Sequence, residues 1–402
     1  MKKFILPFVV IMAMMLSSCG VTTLAFRYQE MKENEAKAKA STKTTVPPTI
    51  DGPNILNICY NADYPDDCKM DIYRDNTTDK NRAVVMIHGG VWLNNTDKSS
   101  IESDKDLFLS IKNSTGLEHK GFHVVNIEYR RIKIGQSNGP TFRDMLEDIR
   151  TAVKFIKDHA EEYNILADRL VVYGFSSGAH LVELFSSKYI VAKDIGCVDF
   201  SPIRVELCIA KSGISDFANE KFLNCNVFGF SSDTKLRDEL IKACRDNGII
   251  VSEEDIAPYI RSYIFKTLLG INTDENDIKK IVAGNQDKVN KASPLYYVKR
   301  RKQDSKLGGS VNKPKVILLH GEKDDFVDVS MAEEFKNEYV DDYGIPFCTL
   351  YTLPSAGHDL KYGDQSADAA AYKDFEKYVK ERLMYITDLA LSLGASHDVT
   401  FD

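Results

Sequence analysis

A serine in a Gly-x-Ser-x-Gly pattern is the feature of this sequence best suited to covalent chemistry. Ser176 is the middle residue of Gly-Phe-Ser-Ser-Gly at residues 174–178. The apolar run 170–173 predicts a strand before this pattern, and residues 178–185 predict a helix after it. A sharp strand-to-helix turn presents a serine hydroxyl above the sheet, which a chance Gly/Ser pattern would not do. We therefore expect Ser176 to act as a nucleophile.

A serine hydroxyl is a poor nucleophile until a base accepts its proton, so a histidine is needed. His358 lies in Pro-Ser-Ala-Gly-His-Asp at residues 354–359, after the last predicted strand. His88 and His320 directly follow other predicted strands, and His180, in the helix behind the serine, is expected to pack rather than react. The pattern therefore predicts His358 as the general base.

The base in turn needs a carboxylate that fixes its tautomer and stabilises its charged form. The segment His-Gly-Glu-Lys-Asp-Asp-Phe-Val at residues 320–327 follows a predicted strand and holds two adjacent candidates. Asp324 has the usual position, four residues after the histidine and three before the valine, and Asp325 is the alternative. The predicted residues then occur in the order Ser176, Asp324, His358 along the chain.

An attacked carbonyl also needs hydrogen-bond donors for the negative charge that develops on its oxygen. His-Gly-Gly-Val-Trp at residues 88–92 follows a buried-strand pattern and places small residues where backbone N–H groups can face a substrate. We expect the backbone N–H groups of Gly90, Val91 and Ser177 to form this oxyanion hole. The alternative is a plain Gly-Gly turn after a strand.

Short apolar runs alternate with helical patterns from about residue 55 onward, which predicts a mostly parallel sheet of about eight strands flanked by helices. Between 218 and 289 the alternation stops in a polar, helix-prone stretch, which predicts an insertion or cap over the site, with a surface decoration as the alternative. The predicted strands are 55–60, 69–73, 83–87, 122–128, 170–173, 205–210, 316–319 and 347–353, and the principal helices are 142–158, 178–185 and 367–393.

The N-terminus is typical of an export signal. Lys2 and Lys3 precede an apolar stretch that ends in Leu-Ser-Ser-Cys at residues 16–19. This ending resembles a bacterial lipobox, which would make Cys19 a lipidation site, and simple cleavage beside an incidental cysteine is the alternative. The predicted parts of the chain are a signal peptide at 1–19, a flexible tether at 20–53, a catalytic domain at 54–393 and a tail at 394–402.

Composition limits the partners of the chain. Its 402 residues are 43% hydrophobic, and the net charge of −7 gives no basic surplus, so we expect no nucleic-acid partner. No Cys/His cluster has the spacing of zinc ligands, so neither a metal nor an organic cofactor is expected. Membrane contact is expected only through the N-terminal lipid anchor.

Seven cysteines follow Cys19, and export would allow local disulfides among them. Cys59 and Cys68 are the pair that we favour, because only a short loop separates them. Buried free thiols are the alternative. The other near neighbours are Cys197/Cys208 and Cys225/Cys244, with Cys348 alone.

Together these motifs resemble the esterase/lipase branch of the α/β-hydrolases that carries His-Gly-Gly-x-Trp. This branch includes hormone-sensitive-lipase-like carboxylesterases, acetyl xylan and feruloyl esterases, and kynurenine formamidases. The likeness extends from about residue 55 to residue 383, apart from 218–262. It implies the α/β-hydrolase fold, the order Ser176, Asp324, His358, and an acyl-enzyme mechanism without a cofactor.

Two departures from the lipase-like pattern bear on the substrate. Phe175 and Ser177 stand where lipase-like members have Asp and Ala, and Gly-Phe-Ser-x-Gly-x-His-Leu is similar to polysaccharide-deacetylating esterases. Val91 replaces the third glycine of the longer oxyanion motif and is followed by Trp92. We expect Trp92 and Phe175 to line the substrate pocket.

The expected function is therefore hydrolysis of a carboxylic ester, with a short acyl group on a carbohydrate or another small alcohol as the substrate. An amidase or formamidase, or a peptidase of the same fold, is the first alternative. Export argues against a cytosolic metabolite as the substrate. A non-catalytic binding protein of this fold is the alternative of a different class, but such proteins usually lose one of the three catalytic residues, and all three are present here.

Overall fold

The structure, a computed structural model, describes the greater part of the chain after residue 48. Residues Pro47–Asp402 form one compact unit, separate from residues Met1–Val46. The predicted signal peptide, Cys19, most of the predicted tether, Cys197 and the predicted tail all lie outside the described residues. The described residues are 49–51, 54–74, 81–94, 122–136, 138–187, 204–225, 234–249, 255–303, 314–339, 347–361 and 367–392.

Strands and helices alternate along the described chain much as the apolar patterns predict. The strands are β1 (Thr49–Asp51), β2 (Asn54–Cys59), β3 (Lys69–Tyr73), β4 (Asn81–Ile87), β5 (Phe122–Ile127), β6 (Ile165–Phe175), β7 (Val205–Lys211), β8 (Lys315–Gly321) and β9 (Cys348–Leu353). The helices are α1 (Phe142–Asp158), α2 (Ser177–Ser186), α3 (Glu220–Asn224), α4 (Thr234–Asp246), α5 (Ile256–Leu269), α6 (Ile278–Gly284), α7 (Gln286–Ala292), α8 (Pro294–Gln303), α9 (Ser330–Tyr339) and α10 (Ala367–Ser392).

The described strands form one sheet in the order β1-β2-β3-β5-β4-β6-β7-β8-β9. The pairings from β1 to β5 along this order are antiparallel, and those from β5 to β9 are parallel. The fold is thus the predicted α/β-hydrolase arrangement. It has nine strands rather than about eight, because the end of the segment predicted as a tether forms β1. Thr49 and Ile50 are β-branched, which favours strand structure there.

The middle strands are covered on both faces, as their continuous apolar runs predict. In β4, residues 83–87 are all fully buried. Helix α1 packs a stripe of apolar side chains inward and is capped at its start by Thr141, whose hydroxyl accepts from the N–H of Asp144. Because parallel strands end at the same edge, the loops after β4, β6, β8 and β9 come together there, and these are the loops that hold the predicted site residues.

The predicted insertion is helical in its described parts. Residues 218–289 include α3 to α6 and most of α7. Phe222, Ile264, Phe265 and Leu268 are buried in the same apolar core as the sheet. The described helices of this segment are therefore packed onto the domain.

The predicted Cys59–Cys68 disulfide is wrong, because both residues are free thiols. Successive side chains of a strand point to opposite faces. Ile58 and Tyr60 are buried, so Cys59 between them is turned away from the core, and its thiol lies 3.4 Å from the carbonyl oxygen of Asn61. Cys68 is itself fully buried. The other described cysteines, Cys208, Cys225, Cys244 and Cys348, are also free thiols.

Within the described part of the chain, no helix is both long and apolar enough to cross a membrane.

Candidate active site

Ser176 occupies a strained turn between β6 and α2. Its backbone has φ 51° and ψ −119°, a conformation that L-residues rarely adopt and that is maintained by the surrounding structure. The Ser176 N–H donates to the carbonyl oxygen of Lys211 at 2.8 Å, which anchors the turn to the end of β7. The serine is 4% exposed.

Two glycines make this turn possible. A Cβ atom on Gly178 would overlap the backbone carbonyl oxygens of Ile87 and His88, and one on Gly174 would overlap the backbone of Gly178. The start of α2 therefore lies directly against the end of β4. Only glycine permits such a close approach of the two backbones.

His358 lies within hydrogen-bond distance of the serine. Its Nε2 is 2.9 Å from Ser176 Oγ. The loop that carries it is held by the hydroxyl of Ser212, which donates to the His358 carbonyl oxygen at 3.2 Å. The rings of Phe326 and Phe175 lie beside the imidazole, with centroids 4.6 and 5.5 Å from its own.

The structure brings Asp324, and not Asp325, to the other side of this imidazole. Asp324 Oδ2 is 2.9 Å from His358 Nδ1. A carboxylate only accepts, so Nδ1 carries the proton and Nε2 is free to accept from the Ser176 hydroxyl. Asp325 is exposed.

The surroundings of Asp324 keep it ionised. Its Oδ1 accepts backbone N–H bonds from Phe326 at 3.0 Å and Val327 at 2.8 Å. Burial by itself would raise the pKa of this carboxyl, but the donors and charges of His320 and His358 outweigh burial and hold its pKa well below the ordinary value.

The loop after β4 has an unusual backbone next to the serine. Gly90, Val91 and Trp92 are three successive residues with positive φ, at 109°, 54° and 60°. A Cβ on Gly89 would lie 2.9 Å from the carbonyl oxygen of Phe175 and 3.2 Å from Ser176 Cβ, so this loop runs directly against the turn. The loop and the start of α2, where Ser177 lies, thus meet beside the serine.

Trp92 and Phe175, the expected pocket residues, have different surroundings. Phe175 is half-buried beside His358. Trp92 is 3% exposed and packs among aromatic rings, with centroids 5.5 Å from His180 and 5.7 Å from Phe217. Trp92 therefore joins the loop after β4 to the helix behind the serine.

His180 has the packing role that the sequence indicates. It is fully buried, and its Nε2 donates to the Ala292 carbonyl oxygen at 2.9 Å. Burial lowers the pKa of His180 to about 4, so its ring is neutral at ordinary pH.

Two features of this region have no counterpart in the sequence-based prediction. Glu183 of α2 is fully buried and accepts a bond from the Ser215 hydroxyl at 2.8 Å, and burial raises the pKa of Glu183 to about 8. His320 contacts Asp324, with 3.2 Å between His320 Nε2 and Asp324 Oδ2. The sequence signal for this contact is the position of His320 four residues before Asp324. The same position is explained equally well by an ordinary residue that follows a strand.

Among the residues that the structure describes, no cluster of His, Cys, Asp or Glu side chains has an arrangement that could hold a metal ion.

Comparison with known proteins agrees with this architecture. Residues 70–245 match the model of the BD-FAE family, a family of α/β-hydrolase esterases. A 55-residue stretch is 40% identical to endo-1,4-beta-xylanase B of Butyrivibrio fibrisolvens and covers 14% of this chain and 9% of that protein.

Two solved structures show the same fold. A truncated carbohydrate esterase from gut microbiota superposes with a TM-score of 0.51 at 18% identity, covering 84% of this chain and 100% of that one. A thermophilic esterase of Thermogutta terrifontis gives a TM-score of 0.51 at 16% identity, covering 85% of this chain and 94% of that one.

Proposed function

We propose that the chain is a hydrolase of the α/β-hydrolase esterase type, which cleaves carboxylic esters with Ser176 as nucleophile, His358 as general base and Asp324 as the carboxylate that orients the base. The observation that carries this proposal is one continuous chain of hydrogen bonds. Ser176 Oγ lies 2.9 Å from His358 Nε2, and His358 Nδ1 lies 2.9 Å from Asp324 Oδ2. Nucleophile, base and orienting group therefore already have reactive geometry.

In the first half of the reaction, His358 Nε2 takes the hydroxyl proton of Ser176 while Oγ attacks the ester carbonyl carbon. The carbonyl oxygen gains negative charge and receives hydrogen bonds from the backbone N–H groups of Gly90, Val91 and Ser177. His358 then returns its proton to the alcohol oxygen as the C–O bond breaks. The alcohol leaves, and the acyl group stays on Ser176 as an ester.

In the second half, His358 takes a proton from a water molecule, which attacks the acyl carbon. The tetrahedral intermediate collapses, the carboxylic acid leaves, and the proton returns to Ser176 Oγ. Asp324 stays ionised throughout, because its pKa lies well below its ordinary value. It stabilises the imidazolium that forms in both halves.

We propose a short acyl group on a carbohydrate as the substrate class. The Gly-Phe-Ser-x-Gly-x-His-Leu pattern supports this proposal, as does the likeness to a protein named a carbohydrate esterase. Phe175 and Phe326 present apolar rings beside the base, where the alcohol part of a substrate can pack. The proposal of an ester rather than an amide is supported by the names of two similar solved structures, which are a carbohydrate esterase and a thermophilic esterase.

A panel of substrates tests this proposal. Acetylated xylan fragments, feruloyl esters, longer-chain acyl esters, a formanilide and a peptide amide are offered to the wild-type protein and to Ser176→Ala. We expect the short acyl esters of sugars to be hydrolysed fastest, and Ser176→Ala to lose about 10⁴–10⁶ in kcat. Equal hydrolysis by both proteins would overturn the mechanism, and a preference for the formanilide or the peptide would overturn the substrate class.

We also propose that the protein is exported and held at a bacterial membrane surface by a lipid on Cys19. The charged, apolar and Leu-Ser-Ser-Cys segments at residues 1–19 support this proposal. The test is metabolic labelling with a fatty acid in a bacterial host. Label that is present in the wild type and absent in Cys19→Ala is expected, and label that persists in Cys19→Ala would contradict it.

A further inference from the structure

Asp324 has a second histidine partner besides the proposed base. His320 near the end of β8 is 1% exposed. Its Nε2 lies 2.7 Å from the Val327 carbonyl oxygen and 3.2 Å from Asp324 Oδ2. A carbonyl oxygen only accepts hydrogen bonds, so His320 Nε2 carries a proton. This N–H therefore donates to the Val327 carbonyl oxygen, and the Asp324 carboxylate lies beside it in close electrostatic contact.

The carboxylate oxygen nearest to His320 is the same one that accepts from His358. His358 Nδ1 lies 2.9 Å from Asp324 Oδ2, and the other oxygen, Oδ1, receives two backbone N–H bonds. The Asp324 carboxylate thus accepts three N–H bonds, and a second imidazole, that of His320, lies 3.2 Å from the oxygen that accepts from His358. A donor that draws on the charge of Oδ2 leaves less of that charge to stabilise the imidazolium form of His358.

We propose that His320 is a positioning residue of the active site, which holds Asp324 in place and limits the basicity of His358 through their shared carboxylate oxygen. This inference rests on the proposed function, in which neutral His358 is the base. His320 acts through Asp324 and does not touch the reacting atoms. Its N–H also ties Asp324 to the Val327 carbonyl, so the two ends of the turn after β8 stay together.

The other ionisable groups near this pair do not substitute for His320. Burial raises the pKa of the Cys225 thiol to about 12, so this neighbour of Asp324 is neutral, and Asp325 is exposed. Asp359 is the charged neighbour of His358 and is itself bonded to Lys361. Among these neighbours, His358 donates a side-chain N–H bond to the Asp324 carboxylate, and His320 places a second imidazole N–H 3.2 Å from it.

The test is a matched pair of variants, His320→Gln and His320→Met. Glutamine can place an amide N–H where Nε2 lies, whereas methionine has a similar size and no donor. In His320→Met the charge on Oδ2 is less offset and stabilises the imidazolium form of His358 more strongly, so the acid limb of kcat/KM should move to higher pH by roughly one unit. We expect kcat to fall about tenfold or more with little change in KM, because a bond to a charged group is lost. In His320→Gln the acid limb of kcat/KM and the value of kcat should both stay closer to wild type than in His320→Met.

The outcomes separate this inference from the proposed function and from simple misfolding. A wild type that hydrolyses no ester refutes the proposed function. An active wild type with an unshifted acid limb in His320→Met, or with equal shifts in both variants, refutes the role of His320 alone. If His320→Met does not fold, the inference is tested by ¹⁵N NMR of the histidines in the wild type, which shows which ring nitrogen of His320 is protonated. The inference requires a proton on His320 Nε2, and a ring protonated only on Nδ1 would overturn it.

Discussion

Two adjacent aspartates have opposite surroundings in the turn after β8. Asp324 is 6% exposed and faces His358, whereas Asp325 is exposed. Two backbone N–H bonds to Asp324 Oδ1 hold its carboxylate toward the imidazole and away from water. The difference between the two residues therefore arises from the path of the turn and not from the chemistry of the side chains.

Replacing each aspartate by asparagine should separate their roles. Asp324→Asn removes the charge and allows the wrong tautomer of His358, so we expect kcat to fall by about 10⁴. Asp325→Asn changes an exposed group, so its kcat should stay close to that of the wild type. Steady-state kinetics on a soluble acetyl ester measure both variants, and an equally large loss in Asp325→Asn would contradict the assignment.

The sequence predicts residues that the structure brings into contact, Ser176, His358 and Asp324, but it does not predict their second partners. Ser176, His358 and Asp324 were each visible from a short pattern and its neighbouring strand. The contact of His320 with Asp324 was not visible from a sequence pattern, because it depends on how tightly the turn after β8 folds. A Cβ on Gly321 would overlap the Ala356 carbonyl oxygen, so that turn lies directly against the loop that carries His358.

At the scale of elements, the site depends on the close approach of α2 to the end of β4. Gly178 lies at this contact, and its missing side chain leaves room for the carbonyl oxygens of Ile87 and His88. The strained Ser176 backbone and the loop after β4 meet at the same place. The proposed nucleophile and the predicted oxyanion donors are therefore positioned by one packing contact.

A methyl group at this contact should destabilise the folded protein. We expect Gly178→Ala to destabilise the fold by about 1–3 kcal/mol or more, because backbone atoms cannot move aside as a flexible side chain can. Gly284→Ala is the matched control, since a Cβ there meets nothing within 4 Å. Urea unfolding of both variants measures the effect. A Gly178→Ala protein as stable as the control would show that the two backbones are not in contact.

The elements themselves were largely predictable, because buried parallel strands have continuous apolar runs and α1 has a clear helical period. Two predictions were wrong because the local sequence contains too little information. The spacing of Cys59 and Cys68 says that they are near each other, but not which face each occupies. The composition of 20–53 predicts a tether, but a three-residue edge strand such as β1 leaves almost no pattern to detect.

At the scale of the whole molecule, a buried acid makes stability depend on pH. In the folded protein the pKa of Glu183 is raised by burial to about 8, from an ordinary value of 4.5. Between these values the folded state keeps a proton that the unfolded chain has lost. The contribution of Glu183 to the free energy of unfolding is therefore fully present below about pH 4.5. It decreases as pH rises to about 8 and does not change further above that.

Glu183→Gln removes this pH dependence while keeping an acceptor for the Ser215 hydroxyl. We expect the variant to gain stability relative to wild type as pH rises from 5 to 8, by at most about 5 kcal/mol at 1.36 kcal/mol per pKa unit. Glu333→Gln, at an exposed position, is the control. Unfolding free energies at several pH values measure the difference, and parallel curves for wild type and Glu183→Gln would contradict a buried neutral acid.

A glutamate such as Glu183 could not be identified from the sequence. It lies in a helix whose ten residues are all buried, which depends on how the sheet and the helices between β7 and β8 enclose α2. The residue pattern of a single helix contains no information about what covers its outer face. Motifs and strands are local features, whereas the burial of this acid is a property of the complete fold.

Covalent labelling shows whether Ser176 is a nucleophile that His358 activates. A fluorophosphonate probe is applied to the folded protein, and the modified peptide is identified by mass spectrometry. We expect one adduct on Ser176, which is absent in Ser176→Ala and forms much more slowly in His358→Ala. No adduct on the folded wild type, or an adduct on another residue that persists in Ser176→Ala, would contradict it.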